Sequence, residues 1–419
     1  MSAAPAKPRL LVLNQYYWPG VEATANLLTE LCEALADEFD VRVVTGLLYG
    51  HEDEPRHLVR NGVAIERVRS TSYERSQLVR RGANYVTYLG SSLAAALRGP
   101  RPDVVLCMTD PPMVGDVALA AARRFHAPLL VISMDVFPEI AVELKRLENP
   151  LAVGLLRGLV GLYLERADRV VAIGETMRRR LEEKGTPSDR LAVIPNWVDT
   201  TAITPQGLDN PWARANALDG RFVVMHSGNV GHAQNLDNLV RSATFLRDLD
   251  DLRILIVGFG ARSDDMLALV SRLEVDNVRF KPYQPREVLA QSLSSADVHF
   301  VGLGKGLSGY VVPSRLYGIL AAGRPVIVAA DEDSETARIV REVECGVVIA
   351  PGRPEVLAAT IRELRERPDE LERMGARGRE YVVAEADRNV AIRRYRELLR
   401  ELTGTPAPDA AAVAAPAGS

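Results

Sequence analysis

Three stretches of this 419-residue chain join glycine, polar side chains and a helix start in the way an anion site does. Met225-His226-Ser227-Gly228-Asn229-Val230-Gly231-His232-Ala233-Gln234-Asn235 follows a strand-like run and precedes a helical pattern. Val257-Gly258-Phe259-Gly260 repeats the device after the next strand-like run. Glycine lets backbone approach a ligand, and the unpaired N–H groups of a helix start favour a phosphate. The third stretch runs from Ser308 through Pro313-Ser314-Arg315 to Gly323-Arg324-Pro325. Pro313 and Ser314 read as a helix start capped by the serine hydroxyl. Arg315 then sits at the positive end of that helix, and a guanidinium with N–H donors suits a departing diphosphate. Gly258-Phe259-Gly260 is not a dinucleotide fingerprint, because Ser263 stands where a third glycine belongs.

A fourth candidate is Asn14-Gln15-Tyr16-Tyr17-Trp18-Pro19-Gly20, before a helical pattern. Gly20 suits a tight turn or a close ligand approach. The aromatics read either as core or as a stacking wall for a sugar.

Those loops need strands and helices to aim them. Short β-branched runs alternate with helical patterns along the chain, the signature of parallel sheets built from βαβ units. The first half carries strand candidates at 10–13, 41–44, 65–68, 104–108, 129–133, 169–173 and 191–194. A Pro-, Asn- and Asp-bearing break at 195–221 reads as a linker. Further candidates lie at 223–226, 253–257, 278–280, 298–301, 325–328 and 347–349. The division expected is an N-terminal Rossmann-like unit over 1–199, a second over 200–385, a helix over 386–402 returning to the first unit, and an Ala/Pro/Gly-rich disordered tail over 403–419. In such sheets ligands bind beyond the strand carboxyl ends.

Composition narrows the class. Hydrophobic residues are 47% and charged residues 25%, with a net charge of -4, so nothing global argues for nucleic acid. Three distant cysteines, Cys32, Cys107 and Cys345, exclude a disulfide framework and read as small buried residues in a reducing, cytoplasmic setting. No run reaches the roughly 18 apolar residues of a membrane span. Residues 56–101 hold nine arginines against Glu66 and Glu74, a local net of +7. That segment reads as an ordinary sheet-packed helix, as a peripheral contact with an anionic inner membrane, or as both.

The ordered succession of Tyr17-Trp18-Pro19-Gly20, Ile194-Pro195-Asn196-Trp197-Val198-Asp199, Ser227–Gly231, Ile256–Gly260, Val278–Phe280 with Pro282-Tyr283, and Pro313-Ser314-Arg315 to Pro325 resembles the retaining glycosyltransferases of family 4. Within that family it looks like the bacterial surface-polysaccharide, fucosamine-transferase-like branch. The resemblance implies the α/β GT-B fold, two Rossmann-like domains around a cleft. It implies a nucleotide-sugar donor, with UDP the expected nucleotide, and a saccharide or polyprenyl-diphosphate-linked acceptor. No metal or other cofactor is expected. It places Ser314, Arg315 and the Gly228–Gly231 backbone on the diphosphate, Gly258, Gly260 and Tyr283 near the nucleoside, and Gly20 and Asp135 near the sugar and acceptor.

Five departures stand out. Asn229 and Gln234 occupy the places of the family's Arg and Lys, and Tyr310 and Gly318 those of its paired glutamates. Donor contacts are expected from Asn229 and Gln234 themselves, and also from Ser227, Pro313, Lys305 and Glu335. Met134-Asp135 replace a customary histidine, leaving Asp135 and Glu139 as polar candidates for the reacting groups beside Arg315. Two alternatives stay open: a nonhydrolysing nucleotide-sugar epimerase using His226 and His232, and a non-catalytic partner subunit with this fold.

Overall fold

The computed structural model describes residues 6–20, 22–73 and 78–406, with the backbone alone for 78–81. The expected tail thus lies largely outside the described residues, as do the side chains of Arg75, Arg80 and Arg81. Two sheets dominate. The first contains β1 (Arg9–Leu13), β2 (Asp40–Thr45), β3 (His57–Arg60), β4 (Val63–Arg67), β5 (Val104–Met108), β6 (Leu129–Ser133), β7 (Arg169–Ala172) and β8 (Leu191–Val193). Their spatial order is β3-β4-β2-β1-β5-β6-β7-β8, with only the β3–β4 pair antiparallel. The second contains β9 (Phe222–Ser227), β10 (Leu252–Val257), β11 (Val278–Lys281), β12 (Val298–Gly302), β13 (Val326–Ala329) and β14 (Gly346–Ile349), ordered β11-β10-β9-β12-β13-β14 and parallel throughout. Both orders reverse direction beside their first strand, at β1/β5 and at β9/β12. Each reversal splays the neighbouring loops and opens a crevice for ligand.

Burial on both faces explains why these strands are continuous apolar runs. Val104–Met108 and Leu129–Ser133 are buried at every residue. All three cysteines are free and buried, as their apolar reading anticipates. The helix Arg388–Thr403 follows the second sheet in sequence yet sends Ala391, Ile392, Tyr395 and Leu399 into the core of the first. It is started by Asp387, whose carboxylate accepts from Asn389 N and from Thr200 Oγ1 at 2.6 Å. Asp387 also bridges Val198, so both crossings between the units are fastened at one place.

The expected linker contains one short helix, Pro211–Ala215, capped by the Asn210 side chain. Among the described residues no helix is long and apolar enough to cross a membrane.

The units are also joined across the crevice. Asp135 and Val311 form an antiparallel bridge, and Val136 N donates to Tyr310 O at 2.9 Å. Arg180 stacks on the Tyr310 ring at 5.0 Å.

Candidate active site

The loops leaving β9, β10 and β12 meet around Arg315. Its half-buried guanidinium places Nη1 3.1 Å from both ring nitrogens of His226, at the end of β9. Equal distances put the cation over the ring, since an in-plane approach would strike the carbon between the nitrogens. His226 is fully buried; burial first, and Arg315 second, hold its imidazole far below the usual range. It is therefore neutral, and its Nε2 donates to Asn229 O at 3.3 Å. Lost hydration lowers Arg315 to about 10, so it stays charged at neutral pH.

Two glycines make room for this arrangement. Gly228, at φ +140, leaves 3.5 Å between its would-be Cβ and Arg315 Nε. Gly258, at φ +135, lies so close to the Gly228 carbonyl that any Cβ would overlap it. Gly260 is equally confined by Asn229 and Val230, and its N–H donates to Ser263 Oγ at 2.9 Å. Ser263, which removes the dinucleotide signature, thus ties the loop it sits in. Tyr283 lies beside these glycines, its hydroxyl donating to Phe259 O at 3.1 Å. Burial raises its phenol, and the nearby Arg315 opposes that shift. Tyr283 and Phe259 both stay largely exposed, offering two aromatic rings at the edge of the crevice.

Several expected contacts are otherwise engaged. Ser314 precedes the helix Arg315–Ala321 in helical conformation and makes no cap bond with its side chain, which corrects its reading as a cap. The Gly228–Gly231 backbone is mostly spent as well. Gly228 N donates to Val257 O, Val230 N to Phe259 O, and Gly231 N to Gln234 Oε1 at 3.0 Å. Among the described residues the N–H groups of Asn229 in that run, and of Ser314 and Arg315, make no hydrogen bond. Asn229 and Gln234 pack against Gly231 and brace the loop. Ser227 ends β9 half-buried, and Pro313 is buried beside the Arg315 helix. Lys305 is exposed and forms no ion pair among the described residues.

Glu335 does not reach this cluster. It is 4% exposed, its Oε2 accepting from Thr176 N at 2.9 Å and Oγ1 at 3.1 Å, its Oε1 paired with Arg338 at 2.5 Å. Expected as a donor ligand, it instead ties the second unit to the start of the helix Glu175–Glu183 in the first. Gly174 has no room for a Cβ beside it.

On the other wall, Glu139 is held by Lys184 Nζ at 2.7 Å and Arg157 Nε at 3.0 Å. Burial would raise its carboxyl; those cations outweigh burial and keep it below the usual range. It lines a 330 Å³ cavity with Val136, Arg157, Arg180, Lys184 and Tyr310. An acid so neutralised is a poor proton carrier, so its expected catalytic role is not supported. Asp135 is exposed in the loop after β6, at the bridge to Val311. Gly20 closes a turn through its N–H to Tyr17 O at 2.8 Å. Tyr16 and Tyr17 are core, while Trp18 lies under Arg60 and Arg67 at 4.9 and 5.5 Å, so the aromatic stretch packs inward. Arg67 is buried and donates to the Pro55 and Trp18 carbonyls, so part of the basic segment is structural.

His226 is the residue sequence reasoning undervalued: it appeared as a proton carrier, and it is a neutral support for Arg315. Its place at a strand end before a glycine was the signal. Among the described residues no three His, Cys, Asp or Glu side chains gather as a metal site.

Comparison with known proteins bears on the family and the fold. Residues 22–197 match the glycosyl transferase 4-like domain and 210–381 match glycosyl transferases group 1. The chain is 26% identical to the glycosyltransferase WbjE of Pseudomonas aeruginosa, covering 94% of this chain and 98% of WbjE. It is 27% identical to WcaI of Escherichia coli strain K12, named for colanic acid biosynthesis, over 55% of this chain and 57% of WcaI. Sucrose-phosphate synthase from Thermosynechococcus elongatus shares the fold with a TM-score of 0.79 at 18% identity, over 96% of this chain and 100% of that one. Anabaena HepE in complex with UDP and glucose does so with a TM-score of 0.72 at 14% identity, over 94% and 100%.

Proposed function

We propose, on the premise that its two halves belong to the glycosyl transferase 4-like and glycosyl transferases group 1 families, that this glycosyltransferase draws its sugar from a UDP-linked donor. The acceptor in this reading is a saccharide or lipid-linked saccharide of a bacterial surface polysaccharide, and the anomeric configuration is retained. One observation carries the donor assignment: a charged Arg315, supported from below by a neutral imidazole, faces a glycine-lined crevice at the β9/β12 reversal. The UDP bound in HepE and the biosynthetic name of WcaI support the nucleotide and the setting.

The mechanism follows from charge. As the glycosidic bond breaks, negative charge grows on the departing diphosphate, and Arg315 with the N–H groups of Asn229, Ser314 and Arg315 meets it. The leaving phosphate oxygen takes the proton of the acceptor hydroxyl attacking on the same face. No protein nucleophile is required, and the tie-up of Glu139 by cations is consistent with that. Tyr283 and Phe259 offer the base a stacking edge. Closure of the units over the donor limits its hydrolysis. The reaction is assigned to the cytoplasmic side, without a bound metal ion, as a peripheral partner of the inner membrane.

A thermal-shift screen against UDP-, GDP- and dTDP-sugars in EDTA tests the donor, since a ligand of the folded state raises its melting temperature. UDP-sugars should give the largest rise. NMR of the product anomer then tests retention; an inverted anomer, or an epimerised donor, refutes this reading.

A further inference from the structure

The donor crevice is short of positive charge in its own unit. Asn229 and Gln234 brace the loop, three of the four N–H groups of residues 228–231 are consumed inside it, and Arg262 is neutralised by Asp237 at 2.7 Å and Asp265 at 3.1 Å. A diphosphate carries about two negative charges, and Arg315 supplies one positive charge from within the crevice.

The opposite unit presents another. The helix Glu139–Glu143 leaves the β6 loop and leans across the crevice: Ile140 and Leu144 pack into the same cluster as Leu303, Leu307 and Ala233 of the second unit. Gly306 lies so near that a Cβ there would stand 3.0 Å from Glu143 Oε2. Ala233 O in turn accepts from Gly304 N at 2.8 Å, which fixes the donor loop beside this docked helix. The helix ends sharply, with Lys145 at φ +53 and Arg146 N donating to Ala141 O at 2.8 Å. The Arg146 side chain is exposed and forms no hydrogen bond or ion pair among the described residues. Arg146 thus follows a helix that packs against Ala233 and Gly306, and, after burial, its positive charge is the largest cause lowering the imidazole of His232 beside Ala233. Lys305, equally unpaired, lies between Gly304 and Gly306 on the same rim.

We propose that Arg146 is a donor-binding residue supplied from the first unit across the crevice, which with Lys305 clamps the outer side of the diphosphate that Arg315 holds from within. This rests on the reading of the crevice as a nucleotide-sugar site. It supplies from the facing unit a positive charge that Asn229 and Gln234 lack. It also makes the diphosphate a bridge between the units, so that donor binding favours their closed arrangement.

Calorimetry with the tightest-binding of UDP, GDP and dTDP, and with the matching monophosphate, tests it. Arg146→Ala should weaken diphosphate binding about tenfold, as expected for loss of one charge-assisted contact, and monophosphate binding by less than about threefold. Arg146→Lys should recover part of the loss, which a packing role would not give. Diphosphate binding unchanged in Arg146→Ala, or an equal loss for both nucleotides, overturns the proposal. Arg315→Ala separates the two readings. If it weakens the diphosphate while Arg146→Ala does not, only the clamp fails. If neither variant matters, the crevice is not the donor site.

Discussion

The two walls of the crevice are strand-end loops of similar sheets, yet they spend their polar residues oppositely. In the second unit the loops after β9 and β10 are shaped by Gly258 and Gly260, which have no room for a side chain, and Arg315 beside them forms no ion pair among the described residues. In the first unit the eye-catching groups are already satisfied: Glu139 by Lys184 and Arg157, Trp18 by two arginines, Tyr17 by the core. The difference teaches that free charge beside a backbone-shaped hollow marks a binding wall, whereas charge with partners marks scaffold. Arg146, on the first wall, departs from this pattern: its side chain forms no ion pair among the described residues.

The largest expected effect strikes the glycine-built wall. Gly258→Ala adds a left-handed-region strain and an overlap with Gly228 O, together about 2–5 kcal/mol. Chemical denaturation should show that loss in the second unit; full stability would mean the loop yields and the wall is not rigid.

Acid should separate the walls next. His299, fully buried on β12, is pushed down to about 4 by burial, and His226 is lowered too. Their folded values lie below the unfolded 6.5, so the unfolded chain binds more protons in that window. For His299 that stability is present above about pH 6.5 and lost as pH falls toward 4, by about 3 kcal/mol, and His226 acts in the same direction. Asp116, in the first unit, is raised by burial to about 6. Its contribution has the other sign, present below 3.8 and lost as pH rises through 6. Hydrogen exchange at pH 7 and pH 5 should therefore show the second unit loosening first in acid; uniform loosening would break the contrast.

Glu335→Ala should cost about 1–3 kcal/mol, because Thr176 N–H and Arg338 lose their buried acceptor. Equal melting of this variant and the wild type would deny the tie between units. The smallest effect belongs to Glu139→Gln, which should change turnover by less than about threefold. A hundredfold fall would restore Glu139 as an acid or base.

Much of the scaffold is legible in the sequence because parallel strands buried on both faces cannot hide their apolar runs. Val104–Met108 and Leu129–Ser133 are read to the residue. His57–Arg60 escapes because a four-residue antiparallel edge strand with alternate exposure has no such run. Arg315 and the glycines are legible because their roles are local: a turn, a close approach, a helix start. The place of Glu335 is not, since its partner Thr176 is 159 residues away and only packing brings them together. Ser314 misleads for a related reason, as its helical backbone leaves the hydroxyl out of capping geometry.

The central claim, that the donor diphosphate is held by Arg315 over His226, is tested most directly by titrating wild type and Arg315→Ala with the preferred nucleoside diphosphate in EDTA. Loss of a hydrogen-bonded cation predicts binding weaker by about 1.5–3 kcal/mol, roughly 10- to 150-fold. Equal affinity of the two proteins would contradict the account.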